Sequence, residues 1–191
     1  MKRIAPTRKE ATHDRIVEAA SRAIRRSGYA GTSVPDIMKD AGLTHGGFYA
    51  HFDSREAMLA EAADRAGADS VATLARAAST APSQHALRSM LELYLSKEHI
   101  AEIVCPVAAL GSEMPRQAPE VRRAATARIK EMIDLVARQS SDWGQPGAHE
   151  RALVTVSTMI GALLVARAVD DPRLSDAVRE AALKHLAPTD D

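Results

Sequence analysis

The chain has 191 residues, 46% of them apolar, and its formal charge is zero. That length holds one ordinary domain or a small domain docked on a larger one, and abundant Ala with few β-branched or aromatic runs favours helices over sheet. The charge is uneven: residues 1–55 carry ten Lys/Arg against six Asp/Glu and residues 56–191 fifteen against nineteen, which excludes a uniformly basic DNA-coating protein and fits one local polyanion-binding face.

The first predicted helix runs from about Arg8 to Ser27, with Ile16, Ala20, Ala23 and Ile24 on one stripe and Gly28 as its left-handed stop. Ser33, Pro35 and Asp36 fit the start of a short second helix: Ser33 as N-cap, Pro35 in the first turn, Asp36 as the reciprocal acid. It ends at Gly42, and Thr44 is expected to cap a third helix of about two turns, with Phe48 and Phe52 on one face. Ser54 caps a much longer fourth helix to about residue 78, and Ala81-Pro82-Ser83 breaks the chain. Further helices are expected at about 84–97, from Cys105-Pro106 to near 112, at 120–138, 149–169 and 173–186. The count is nine, the fold class all-α, with a helix-turn-helix domain over residues 1–55 and a larger helical domain over residues 56–191.

The lone Cys105 allows no intrachain disulfide and fits a reducing cytoplasm, and the basic start Met1-Lys2-Arg3-Ile4 lacks the apolar stretch of a signal peptide. The most apolar window, 152–169, contains Thr155, Ser157, Thr158 and Arg167 and reads as a buried helix rather than a membrane span. The seven histidines include no i,i+4 pair with a metal-ligand pattern, and no Gly-rich phosphate loop or nucleophile–base signature appears. No cofactor is therefore expected, and an all-α enzyme, the main rival reading, has no catalytic constellation to stand on.

Residues 33–52 carry the chemistry. A short helix, a tight glycine turn and a second short helix make a helix-turn-helix. Gly46 and Gly47 follow one another where each costs roughly 1 kcal/mol relative to Ala, so close backbone approach to another surface is the reason to expect. In a DNA reader that surface is the phosphate backbone and the major-groove edge. Tyr49 lies opposite Phe48 and Phe52 with its hydroxyl available to phosphate. Thr44 and His45 present the first turn, Arg55 opens the next helix within reach of the adjacent phosphate, and Ser33 and His51 complete the set.

From Thr32-Ser33-Val34-Pro35-Asp36-Ile37 through Ala41-Gly42-Leu43-Thr44-His45-Gly46-Gly47-Phe48-Tyr49-Ala50-His51-Phe52-Asp53-Ser54-Arg55-Glu56, the sequence resembles the signature of the TetR family of bacterial repressors. The likeness is continuous over roughly residues 10–60. It implies a homodimer whose third helices enter successive major grooves of a palindromic operator, and a C-terminal domain that binds a small molecule and releases DNA. His45 departs from the family, where Lys is frequent, which shifts weight onto Tyr49, Arg55 and the arm Lys2, Arg3, Arg8 and Lys9.

The resemblance also implies a ligand pocket within the fourth to seventh predicted helices, for which Met90, Tyr94, His99, Cys105 and Met114 are candidates by type and location, although Met and Tyr at helical spacing are more often plain core. The stretch 104–114 is similar to one in a subgroup of these regulators, some of which respond to electrophiles or oxidants through a cysteine. A thiol at a helix N-terminus is expected to have a lowered pKa; the alternative is a small buried apolar side chain. In the last two helices Val156, Ile160, Leu163 and Leu164, beside the small Ser157, Gly161 and Ala162, read as a dimer face.

Overall fold

The computed structural model describes residues 7–102 and 105–187. Several of its helices begin where a side chain satisfies a free N–H group of the first turn. In α1 (Arg8–Ser27) Thr7 accepts from Glu10 N at 3.2 Å while the Glu10 carboxylate accepts from Thr7 N at 2.7 Å. In α2 (Val34–Asp40) the Ser33 hydroxyl accepts from Asp36 N at 3.3 Å. In α3 (Arg55–Thr80) Ser54 accepts from Ala57 N at 3.0 Å. α2 stops at Gly42, whose φ of +70° lets Leu43 N bond back to Met38 O at 2.8 Å.

The expected third helix forms as a 3-10 segment, His45–Ala50, and Thr44 makes no side-chain cap bond. Two adjacent glycines in a segment this short weaken an α-helical turn, and the tighter 3-10 winding takes its place. The helix expected at 84–97 is two: α4 (Ala86–Tyr94) and α5 (Lys97–Ala101). Ser96 caps α5 by accepting from His99 N at 3.1 Å, and the buried Arg179 reaches from the C-terminal end of the chain to donate to Leu95 O at 2.7 Å. The freed carbonyl at the break is thus matched by a charged donor. The remaining helices are α6 (Pro106–Leu110), α7 (Pro119–Gln139), α8 (Ala148–Ala168) and α9 (Pro172–Leu186), with 3-10 turns at Ser83–His85 and Met114–Arg116. There are thus nine α-helices among the described residues, though not the nine expected, and no strand.

Two apolar clusters form the interior. One gathers α1, α2, Phe48, Phe52 and the first half of α3 (Met58, Leu59, Ala62, Ala63, Ala66) with Leu110 and Val121. The other gathers the second half of α3 with α4, α7, α8 and α9. α3 and α7 lie so close at Gly67 that a Cβ there would sit 2.6 Å from Cβ and Cγ of Arg128. Arg128 in turn holds Asp64 on α3 with two bonds of 2.7 Å, and its guanidinium pKa is raised by that pair and by Glu131.

α8 is not the wholly buried helix expected from residues 152–169. Val156, Met159 and Leu163 face the core, but Leu153, Val154, Leu164 and Val165 are exposed. By length and composition alone α8 could cross a bilayer.

Candidate DNA-reading face and effector cavity

The segment 44–51 is presented outward by aromatic anchors. Phe48 and Phe52 are buried with ring centroids 5.5 Å apart, and His13 stacks on Phe52 at 4.5 Å. Tyr49, edge-on to Phe48, is thereby turned to solvent and is 73% exposed. Thr44, His45 and Gly46 are exposed beside it. Inside the protein neither glycine is required. A Cβ on Gly46 would meet nothing within 4 Å, and one on Gly47 only Met38 Cε at 3.7 Å, an ordinary contact.

Three expected contact residues are otherwise engaged. Ser33 spends its hydroxyl on the α2 cap, accepting from Asp36 N and donating to the Asp36 carboxylate at 2.5 Å. His51 is half-buried with Nδ1 enclosed and unpartnered among the described residues; burial, then the nearby His13 and Lys9, hold its pKa below the ordinary imidazole value, so it brings no charge at neutral pH. Arg55, expected to reach a phosphate, turns inward: its Nη2 donates to Tyr29 O at 2.5 Å and Thr32 O at 2.9 Å. Those carbonyls lie in the connection between α1 and α2, where no helix satisfies them, and the guanidinium fixes that connection to α3. Lys2 and Arg3 lie outside the described residues; Arg8 and Lys9 are exposed at the start of α1.

A cavity of about 290 Å³ lies between α3, α6 and α7, walled by Ala63, Gly67, Val107, Met114, Ile129 and Met132 among others. Of the five ligand candidates only Met114 lines it. Met90, Tyr94, His99 and Cys105 are fully buried, Met90, Tyr94 and Cys105 within the second core cluster. Their spacing put them on inward faces, and those faces are packed away from this cavity. Cys105 is the N-cap of α6, yet burial pushes its thiol pKa up, outweighing the neighbouring Tyr94 hydroxyl and the N–H groups of Val107 and Ala108. The dipole argument for a reactive thiolate therefore fails on depth.

One wall of the cavity is Tyr29, four residues before the α2 cap and hence part of the DNA-reading end. No local pattern marks this role, because Glu113, which ties Tyr29 there, is distant in the chain. Glu113 accepts from Tyr29 N at 3.0 Å and from Ala30 N at 3.4 Å. Its carboxylate fits because residue 28 is glycine at φ +73°, where a Cβ would lie 2.4 Å from Glu113 Oε1. Desolvation, then Glu113, raise the Tyr29 phenol to about 12, so it remains a neutral donor.

The expected dimer residues divide. Val156 and Leu163 are buried in their own core, Ile160 is half-buried and Leu164 is 44% exposed. The outward face of α8 is Leu153, Val154, Ser157, Gly161, Leu164 and Val165, with Leu174 of α9 exposed as well.

Known proteins resemble the chain along most of its length. Residues 16–62 match the family described as bacterial regulatory proteins, tetR family, and residues 83–181 match the C-terminal domain of LmrA/YxaF-like transcriptional regulators. An HTH-type transcriptional regulator of Mycobacterium tuberculosis strain H37Rv is 33% identical over 167 residues, covering 81% of this chain and 83% of that protein. Among solved structures, a TetR transcriptional regulator from Chloroflexus aurantiacus superposes with a TM-score of 0.75 at 28% identity, covering 94% of this chain and 93% of that one. The reduced form of E. coli NemR gives 0.78 at 19% identity, covering 93% and 95%, a likeness of fold. With a helix-turn-helix that turns Tyr49 and two glycines outward, and with both halves matched, the chain belongs to the TetR family of DNA-binding transcriptional regulators.

Proposed function

We propose that the protein is a cytoplasmic, homodimeric repressor that binds a palindromic operator through residues 44–49 and releases it when a small molecule occupies the cavity between α3, α6 and α7. The single observation that carries this reading is the shared wall: Tyr29 lines the cavity, while its N–H is held by Glu113 and its carbonyl by Arg55. Glu113 immediately precedes Met114, which also lines the cavity. An occupant that displaces Met114 or Tyr29 strains the bonds that set the angle between the reading segment and α3. Coupling of this kind requires only that the occupant prefer one arrangement. The division at residues 55 and 56 separates reading from sensing, with α3 as the lever between them.

Homodimerisation is proposed through the outward face of α8. Gly161 sits on it with open space where a Cβ would be, so a second helix can approach closely, and a two-fold pair of readers matches a palindrome. The apolar stripe occupies only one side of α8, whose other side packs on its own core, which favours a protein partner over a bilayer.

Fluorescence anisotropy with a palindromic duplex selected from the DNA upstream of the gene, against its isolated half-site, tests the reading. Tight binding to the palindrome, weak binding to the half-site and a uniform loss in Tyr49→Phe are expected. Equal affinity for palindrome and unrelated DNA overturns it.

A further inference from the structure

We infer that the cavity takes an amphipathic organic anion, its apolar body within the walls and its anionic group on Arg122. This deepens the effector reading above and rests on it. The body of the site is apolar: Ala63, Pro106, Val107, Ile129 and Met132 close around about 290 Å³, a small ligand's volume. Among the described residues the charged groups on its wall are two guanidiniums, Arg122 and Arg128, with no Asp or Glu lining it.

The two arginines differ in what they have left to offer. Arg128 is already matched by two carboxylates, with Nε and Nη2 on Asp64 and Nη1 on Glu131, all at 2.7 Å. Arg122 is exposed, and among the described residues its guanidinium enters no ion pair or hydrogen bond, the residue's one side-chain partner being Thr126, whose hydroxyl donates to the Arg122 carbonyl. It also lines a second, open groove of about 520 Å³ along the same face of α7, with Pro119, Arg123, Thr126, Ala127 and Lys130. Arg123 and Lys130 likewise have no carboxylate partner among the described residues, and no acid lines this groove either. An apolar chamber thus opens at Arg122 onto a row of three unmatched cations.

A cationic ligand would meet repulsion with no counter-charge. A neutral one would fill the chamber and leave the cations hydrated as they are. An anion with an apolar body gains on both sides. Its head can be taken by the planar fork of Arg122 in charge-assisted bonds, reinforced by Arg123 and Lys130, while the body is buried.

Isothermal titration calorimetry on the full chain, with three probes of one shape, reads the charge term directly: 2-naphthoate, 2-naphthamide and 2-naphthylmethylammonium. The expected order is naphthoate tightest, at least about tenfold over the amide, and the ammonium weakest, with the naphthoate advantage shrinking at high salt. Arg122→Gln is expected to bring naphthoate down to the amide's affinity while leaving the amide unchanged. Equal binding of naphthoate and amide, or an anion preference that survives Arg122→Gln, overturns the inference. Val107→Phe and Ile129→Phe, each checked for an intact thermal transition, fill the chamber and are expected to abolish binding of all three probes. If naphthoate still binds to both filled variants, or no probe binds the wild type, the cavity reading itself fails. Loss of all three probes in the filled variants without any anion preference sinks only the ligand class.

Discussion

Gly46 shows how a residue's purpose is read from what surrounds it. A side chain there would meet open space, and its φ lies outside the left-handed region, so the fold tolerates any small residue. The requirement must come from outside, from a surface pressed against the segment. Gly46→Ala is therefore expected to gain up to about 1 kcal/mol of stability while operator affinity falls by roughly tenfold; parallel denaturation and anisotropy measurements check both. His99 illustrates the opposite case. It is 4% exposed, its Nε2 has no partner among the described residues, its ring lies 4.8 Å from Tyr94, and burial pushes its pKa down to about 4 from 6.5. Between those values the unfolded chain takes up a proton that the folded chain refuses. The stability it contributes is complete above about pH 6.5 and is lost as pH falls toward 4, by up to about 3 kcal/mol. Asp176, whose pKa is lowered by Lys97 and Arg179 from 3.8, titrates below that window. Urea midpoints measured down through it should slope in wild type and less steeply in His99→Leu, the residual slope belonging to His51 and Glu10, whose pKa values are also lowered. At this scale the exposure of Tyr49 was legible, since it follows from its near neighbours Phe48 and Phe52. The inward bonds of Arg55 and the depth of Cys105 were not, because their surroundings come from distant segments.

Helix starts were legible because a cap is a local device: Thr7, Ser33 and Ser54 each bond within three residues. The break at Leu95–Ser96 was hidden because its carbonyl is satisfied by Arg179, 84 residues on. The faces of α8 were hidden for another reason. Its residues are apolar nearly all round, so no stripe stands out by period, and only packing shows that Val156 and Leu163 point in while Val154 and Leu164 point out. Gly67, an unremarked residue inside a helical run, proves to be the close contact of α3 with α7. Gly67→Ala would have to push against the Cβ of Arg128 at 2.6 Å, which sits on a helix and cannot swing aside. The expected loss is about 1–3 kcal/mol despite the better helix former, and a lowered melting temperature is the readout.

For the whole molecule, the proposed homodimer would cover the exposed apolar face of α8. Leu164→Arg is expected to yield a folded monomer by light scattering, with palindrome affinity reduced to that of a half-site. A variant that stays dimeric places the interface elsewhere. The all-α class, the reading segment and the family were legible because they rest on local pattern over a continuous stretch. The cavity was not, since it is assembled from Tyr29, α3, α6 and α7, which no single stretch contains.

α3 supplies side chains to both apolar clusters, and this bears on how the molecule can be cut. A fragment ending at residue 55 would lack Met58, Leu59, Ala62, Ala63 and Ala66, which close the first cluster, and would expose Ile16, Ile24 and Phe48 to water. Such a piece is expected to be unfolded by circular dichroism. The DNA reader is thus not expected to be an excisable module: it should melt in a single transition with the C-terminal half, and proteases should find no linker to nick between them.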